Sequence, residues 1–279
     1  MLHSDSISNW KKPFFMGFSG HNARKRFGQH WLKDAAVLNQ IIEAAELSAS
    51  DIVLEVGPGR GALTQRLLNQ PLLRLEAIEL DRDLVQGLQQ QFGADPRFHL
   101  QQGDALVVQL PEANKVVANI PYNITGPLLQ VLLGRLDQPA PHRFQSLVLL
   151  LQKEVAQRIT AAAGDSNFSA LSVRMQLQCN CYSICEVPPR CFEPPPKVMS
   201  EVICLKPLAT LLDAQIAKIV EQLLTAAFGA RRKMIRNTLA AFAEGETFQN
   251  WLEQARVSPE QRPQEISPDK WVALASSLP

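Results

Sequence analysis

The chain has 279 residues, 46% of them hydrophobic and 20% charged, enough to bury a core in one large domain or two smaller ones. Its 19 prolines and 14 glycines sit among ordinary apolar content, which excludes a disordered or collagen-like chain, and the aliphatic run at 147–151 is far too short to cross a bilayer. The net charge of +1 argues at first against a nucleic-acid binder. A mean charge, however, says nothing about where the charges lie.

Residues 1–22 read as an N-terminal extension, a solvated arm whose apolar stretch at 13–18 is too short for the core of a signal peptide. From residue 51 short apolar runs alternate with stretches of helical spacing. The runs fall at 52–56, 75–78, 98–100, 116–118 and 147–151, and the helical stretches at 61–69, 81–92 and 125–136. Short buried strands alternating with helices indicate βαβ units and a mostly parallel sheet. Residues 202–205 read as a late strand, added at the edge or returning through the sheet, and the prolines at 188, 189 and 194–196 place an extended loop at 187–197. Beyond Pro207 strand-like alternation disappears, while Ile216, Ile219, Val220, Leu223 and Leu224 follow helical spacing. The expected organisation is an α/β domain over 23–206 and a small all-helical domain over 207–279. Five cysteines, at 179, 181, 185, 191 and 204, are an odd number without C-x-x-C pairs. Reduced thiols in a cytosolic protein fit them better than disulfides or a metal cluster.

The first run ends in Glu55-Val56-Gly57-Pro58-Gly59-Arg60-Gly61 and opens a helix. Glycines there permit a tight turn and a close approach of ligand to backbone. The spacing is neither the G-x-G-x-x-G of dinucleotide binding nor a phosphate-cradling P-loop. Alone, such a loop is equally well a plain turn. Glu79 ends the second strand, twenty residues beyond Gly59, where a carboxylate can accept both hydroxyls of a ribose. Asp104, after the third strand, is placed to receive an adenine amino group. Adenosine without pyrophosphate matches S-adenosylmethionine better than NAD.

The fourth strand ends in Asn119-Ile120-Pro121-Tyr122. An exocyclic amino group on a base is a poor nucleophile because its lone pair is delocalised into the ring. Two acceptors holding its hydrogens, the Asn119 side-chain oxygen and the Ile120 carbonyl, would turn that lone pair toward an electrophilic methyl. Pro121 extends the backbone at Ile120 and aims that carbonyl away from the sheet. Tyr122 offers a ring for the base to stack on and Phe192 could cover its other face, each contact worth about 1–3 kcal/mol. Taken singly, Tyr122 is also readable as a packed turn residue and Phe192 as core.

These segments together resemble the bacterial small-subunit ribosomal RNA adenine N6,N6-dimethyltransferases, from about Ala23 to the C-terminus. The resemblance is carried by residues 24–32, 55–61, 79–81, 119–125, 151–155, 192–198 and 231–237. It implies a Rossmann-like S-adenosylmethionine-dependent methyltransferase sheet with a C-terminal helical RNA-binding domain. It further implies His30 and Leu32 as the N-terminal wall of the cofactor pocket, Gly57 and Gly59 as its loop, Glu79 as ribose ligand and Asp104 as adenine ligand. Asn119 would touch cofactor and amine, with Tyr122 and Phe192 bracketing the base. The family dimethylates two adjacent adenosines in a hairpin near the 3′ end of 16S rRNA within the pre-30S subunit, which implies a cytoplasmic monomer without membrane contact. Three positions depart from the usual pattern: His30 for Asn, Trp31 for Phe and Met199 for Asp. Two rivals remain, the antibiotic-resistance branch acting on large-subunit RNA and a non-catalytic RNA-binding assembly factor. The triple proline before Lys197 opposes the first; Gly57, Glu79, Asp104, Asn119 and Tyr122, all present, oppose the second.

Residues 1–33 carry six basic groups against Asp5 alone, a balance of +5, and Arg231, Arg232, Lys233 and Arg236 add +4 over residues 228–237. The remainder must carry −8. Arg24, Lys25, Arg26 and the second cluster flank the base-accepting site in sequence and are the expected phosphate contacts, with Lys153, Arg158 and Lys197 as additions.

Overall fold

The computed structural model describes residues 29–140 and 144–279. The extension at 1–22 and the basic residues Arg24, Lys25 and Arg26 lie outside the described residues.

Seven strands form one sheet in the order β4-β3-β2-β5-β8-β11-β9. Strands β2 (Ile52–Val56), β3 (Arg74–Glu79), β4 (Phe98–Gln102), β5 (Lys115–Asn119) and β8 (Ser146–Gln152) run parallel, as their crossover helices require. Strand β11 (Ser200–Pro207) returns antiparallel between β8 and the edge strand β9 (Cys179–Val187). Helices α1 (Ala35–Ala45), α2 (Ala62–Leu68) and α3 (Arg82–Phe92) connect the early strands, and α4 (Thr125–Leu133) follows β5. A small hairpin, β6 (Gly134–Arg135) with β7 (Gln138–Pro139), continues from α4. After β8 come α5 (Lys153–Thr160) and α6 (Ala170–Gln176).

Alternation within the strands divides the core between the two sheet faces. Val53, Leu75, Ala77, Val117, Val148 and Leu150 pack with α1, α2 and α3. Leu54, Val56, Ile78, Val116, Ala118, Leu147, Leu149 and Leu151 face the other way, toward α4 and α5. The returning strand sits inside the sheet, because β9 covers its outer side. The extended loop expected at 187–197 is more structured than its prolines suggest. It contains a 3-10 turn at Pro189–Cys191 and a two-residue strand, β10 (Phe192–Glu193). That strand pairs antiparallel with β1 (Trp31–Leu32), Trp31 opposite Glu193 and Leu32 opposite Phe192. The pair ties the start of the described chain across the end of the sheet.

Helices α7 (Ala214–Gly229), α8 (Ile235–Thr238), α9 (Gly245–Gln254) and α10 (Pro268–Ser276) follow Pro207. Their core is not theirs alone: Leu136, Ala161, Phe168, Val173 and Leu177 pack in one cluster with Leu223, Leu224, Trp251 and Trp271. Arg174 of α6 grips Glu221 of α7 with two side-chain hydrogen bonds from Nε, 3.0 and 2.9 Å. The change of character in the sequence at residue 207 is therefore not a break in packing. Phe168 is fully buried at this junction. Phe168→Ala should lower unfolding free energy by about 3–5 kcal/mol, measured by urea denaturation, with the helical and α/β parts unfolding in one transition. Two separate transitions would contradict the shared core.

Candidate functional site

A doubly wound sheet leaves a crevice at the carboxyl ends of its strands where the strand order reverses, here between β2 and β5. A cleft of about 320 Å³ occupies that place. Its walls are built from strand ends. Gly57 and Gly59 follow β2, Glu79 ends β3, Gly103 and Asp104 follow β4, Asn119 ends β5, and Ile120 to Ile124 follow it. Gln29, His30 and Trp31 close it from the N-terminal side.

The glycine loop has its residues for steric reasons. Gly57, Gly59 and Gly61 adopt φ of 69°, 60° and 79°, left-handed backbone that side chains resist. A Cβ on Gly59 would stand 2.7 Å from Trp31 Cδ1, and one on Gly61 would stand 2.4 Å from Phe92. The loop is then fastened to Glu79, whose carboxylate accepts the Gly59 N–H at 3.1 Å and the Asp81 N–H at 2.8 Å. Burial pushes the Glu79 carboxyl up, and those two N–H groups partly offset the rise. Glu55, one strand turn before the loop and 1% exposed, accepts from Thr64 Oγ1 at 2.7 Å. Burial drives its carboxyl up to about 8 against the Thr64 hydrogen bond, and the nearby Glu79 adds to the rise. At neutral pH Glu55 is then mostly a neutral acid.

Asn119 is fixed by the N-terminal segment. Its Nδ2 donates to the His30 carbonyl at 3.1 Å, which leaves Oδ1 as the acceptor end of the amide. The His30 ring stacks on Tyr122 with centroids 5.6 Å apart and planes inclined by 28°, and its Nδ1 donates to the Pro194 carbonyl at 2.8 Å. The Tyr122 hydroxyl is hydrogen-bonded to Ser200. Trp31 carries the Arg60 guanidinium 3.8 Å above its ring.

The structure gathers His30, Gly57, Gly59, Glu79, Asp104, Asn119, Ile120, Pro121 and Tyr122 around one cleft. Leu32 lines an adjoining cavity of about 380 Å³ that shares Trp31, Gly57 and Asn119 with the cleft and is rimmed by Lys33, Arg60 and Arg66. Phe192 is not brought to the cleft. It is 1% exposed in the core, because pairing of β10 with β1 turns it inward against Val187, Val202 and the helices. Of the expected RNA contacts, Arg231 is engaged by the Ser166 and Phe168 carbonyls, where it ties the helical part to the α/β part. Arg236 reaches Glu260 at 3.4 Å, Lys153 reaches Glu186 at 2.6 Å and Arg158 reaches Glu154 at 2.5 Å. Arg232 and Lys233 are exposed in the turn between α7 and α8. Sequence reasoning missed Ser200, Gln29 and Arg60. Gln29, inside the 24–32 segment, and Arg60, inside the 55–61 loop, had signals that could have found them; Ser200 had none. Among the described residues no cluster of His, Cys, Asp and Glu could hold a metal ion, the five cysteines form no disulfide, and no helix is long and apolar enough to cross a membrane.

A mostly parallel sheet with this glycine loop, carboxylates at the ends of two successive strands and Asn-x-Pro-Tyr at the switch point defines a Rossmann-like methyltransferase. Residues 20–278 match the model of the ribosomal RNA adenine dimethylase family, and the chain belongs to that family. Ribosomal RNA small subunit methyltransferase A of Synechococcus sp. strain RCC307 is 62% identical over 270 residues, covering 94% of this chain and 98% of that one. The protein of the same name from Prochlorococcus marinus strain MIT 9303 is 60% identical, covering 94% and 96%. Among solved structures, a dimethyladenosine transferase from Plasmodium falciparum superposes with TM-score 0.71 at 27% identity, covering 88% of this chain and 96% of that chain. The 23S rRNA methyltransferase ErmE superposes with TM-score 0.73 at 25% identity, covering 89% and 99%.

Glu55 gives the site a pH signature. Between the ordinary carboxylate value and about 8 the folded state holds a proton that the unfolded chain has released, so stability falls as pH rises through that window. Glu55→Gln keeps an acceptor for Thr64 and removes the titration. Its urea midpoint should rise relative to wild type between about pH 5 and pH 8; parallel pH curves would contradict a protonated Glu55.

Proposed function

We propose that this protein dimethylates the N6 amino groups of two adjacent adenosines in a hairpin near the 3′ end of 16S rRNA, using S-adenosylmethionine. The observation that carries this reading is the convergence of Glu79, Asp104, Asn119 and Tyr122 on one cleft. The relatives at about 60% identity, named for the small subunit, favour that RNA over the 23S RNA named for the neighbour at 25% identity.

The residues fit the cofactor. Glu79 accepts the ribose hydroxyls and Asp104 the adenine amino group, with His30, Gly57 and Gly59 as walls. The adjoining cavity, lined by Leu32 and rimmed by Arg60, would hold the amino-acid end, since the two spaces share Gly57 and Asn119. When bound, S-adenosylmethionine supplies an electrophilic methyl group on a sulfonium sulfur. Asn119 Oδ1 and the Ile120 carbonyl hold the two hydrogens of the target amine, so that its lone pair points out of the ring plane. Pro121 sets the extended backbone that presents the carbonyl. No strong base is needed, because the methylated ammonium is acidic enough to lose its proton to water. Tyr122 stacks on the base. Phe192 supplies a second ring to the base only if β10 rearranges; His30 already lies on one face of the Tyr122 ring, which leaves the base the other.

We read the protein as a monomer acting in the cytoplasm on the assembling small subunit, in keeping with relatives named for that subunit's RNA. We assign residues 23–206 to catalysis and residues 207–279 to RNA binding, through Arg232, Lys233 and Arg236 with Arg24, Lys25 and Arg26; Arg231 serves first as a structural tie.

Incubation with labelled cofactor and under-methylated 30S particles should place N6,N6-dimethyladenosine in the small-subunit RNA. Asn119→Ala should reduce transfer by about 10²-fold or more, with S-adenosylhomocysteine binding by calorimetry retained in part. Label in large-subunit RNA, or near-normal turnover by the variant, would overturn the reading. Charge reversal at Arg232 and Lys233 should weaken RNA binding and lower its salt slope by about one per lost phosphate contact, with cofactor affinity unchanged. An unaltered slope would remove the helical part from the RNA interface.

A further inference from the structure

We propose that Ser200 is a positioning residue for methyl transfer, holding the Tyr122 ring in the plane on which the target base stacks. The inference rests on the role given to Tyr122 above. Ser200 is the first residue of β11, fully buried, with its backbone opposite Gln152 of β8 on one side and Val187 of β9 on the other. Its position is thus set by two strands. Its hydroxyl is hydrogen-bonded to the Tyr122 hydroxyl.

Tyr122 needs such an anchor. It stands in the 3-10 turn Tyr122–Ile124, directly after Pro121 and before α4, and its ring is only partly buried. A ring at the mouth of a cleft turns about two side-chain torsions, and each orientation it loses on binding a base weakens the stack. Tying the hydroxyl to an interior strand removes those torsions beforehand. Burial raises the phenol above its ordinary value, offset in part by Ser200, so the hydroxyl stays protonated at neutral pH and serves as an anchor, not a base. The segment that ends at Ser200 reaches the site at a second point, where the Pro194 carbonyl accepts from the His30 ring that lies on Tyr122. The ring is therefore held at its hydroxyl end by Ser200, and His30 packs on one face.

The chain has only two tyrosines, Tyr122 and Tyr182, so 3-fluorotyrosine labelling gives two 19F resonances, and Tyr122→Phe assigns them by loss. Ser200→Ala should shift and broaden the Tyr122 resonance and leave that of exposed Tyr182 unmoved. Transfer to small-subunit RNA should fall roughly 10-fold in Ser200→Ala, in Tyr122→Phe and in the double variant alike, because each removes the same bond. Affinity for S-adenosylhomocysteine should stay within about 2-fold of wild type in Ser200→Ala. An unmoved Tyr122 resonance, wild-type rates in Ser200→Ala, or a double variant slower than either single by the product of both losses would overturn the proposal. If Ser200→Ala fails to fold, Tyr122→Phe breaks the bond from the other side, and wild-type rates there would overturn it as well. A wild-type protein that transfers no methyl group would refute the proposed function, while the resonance still decides whether Ser200 fixes Tyr122.

Discussion

The end of β2 must turn into α2 within a few residues while Trp31 lies against the turn from one side and Phe92 from the other. Three glycines in left-handed backbone meet that demand. Because nothing projects from Gly57 and Gly59, the loop can reach Glu79, and the Glu79 carboxylate holds it there through the Gly59 N–H. The position of the loop in turn fixes the wall shared by the two cavities. Trp31 is kept in place from its own side by the pairing of β1 with β10. A bulkier residue in the loop would displace Trp31, loosen that pairing and with it the His30 carbonyl that orients Asn119. The chemistry at β5 is thus tied to sterics at β2.

Much of this was legible in the residues. Strand ends in a parallel sheet collect at one edge, so a glycine loop after one apolar run, Glu79 at the end of the next and Asp104 after the third were bound to converge once the runs were recognised as strands. What was not legible depends on pairings distant in sequence. Phe192 carries the same aromatic ring whether it faces a cleft or a core, and only the match with Leu32 across 160 residues turns it inward. Strand β9 sets Cys179, Cys181, Ser183 and Cys185 against Asn180, Tyr182, Ile184 and Glu186 instead of alternating aliphatic with charged residues, so its period was masked. Arg231 reads as one more cation in a basic run until the two carbonyls it binds are in view. A single serine at the start of a strand has no sequence signal at all.

Electrostatics inside the cleft is simpler than its acidic residues suggest. Glu55 and Glu79 sit on neighbouring strands, and burial disfavours charge on both. At Glu79 the two backbone donors favour the charged form and partly offset burial. The rim of the adjoining cavity is cationic, with Lys33, Arg60 and Arg66 around Glu193. A ligand with a polar sugar at one end and a carboxylate at the other meets matching partners along its length.

The α/β and helical parts share one core through Phe168, Val173 and Leu177, and the Arg174–Glu221 pair crosses the same junction. Hinging the helical part would mean opening packed interior, so the spacing between the basic turn at Arg232 and the cleft is effectively a fixed ruler. A rigid gauge of this kind leaves deformation to the RNA. Its adenosine must leave the stack and swing to meet a base site that does not come forward. Under the proposed function, discrimination would then rest on how readily a given hairpin yields as well as on its sequence.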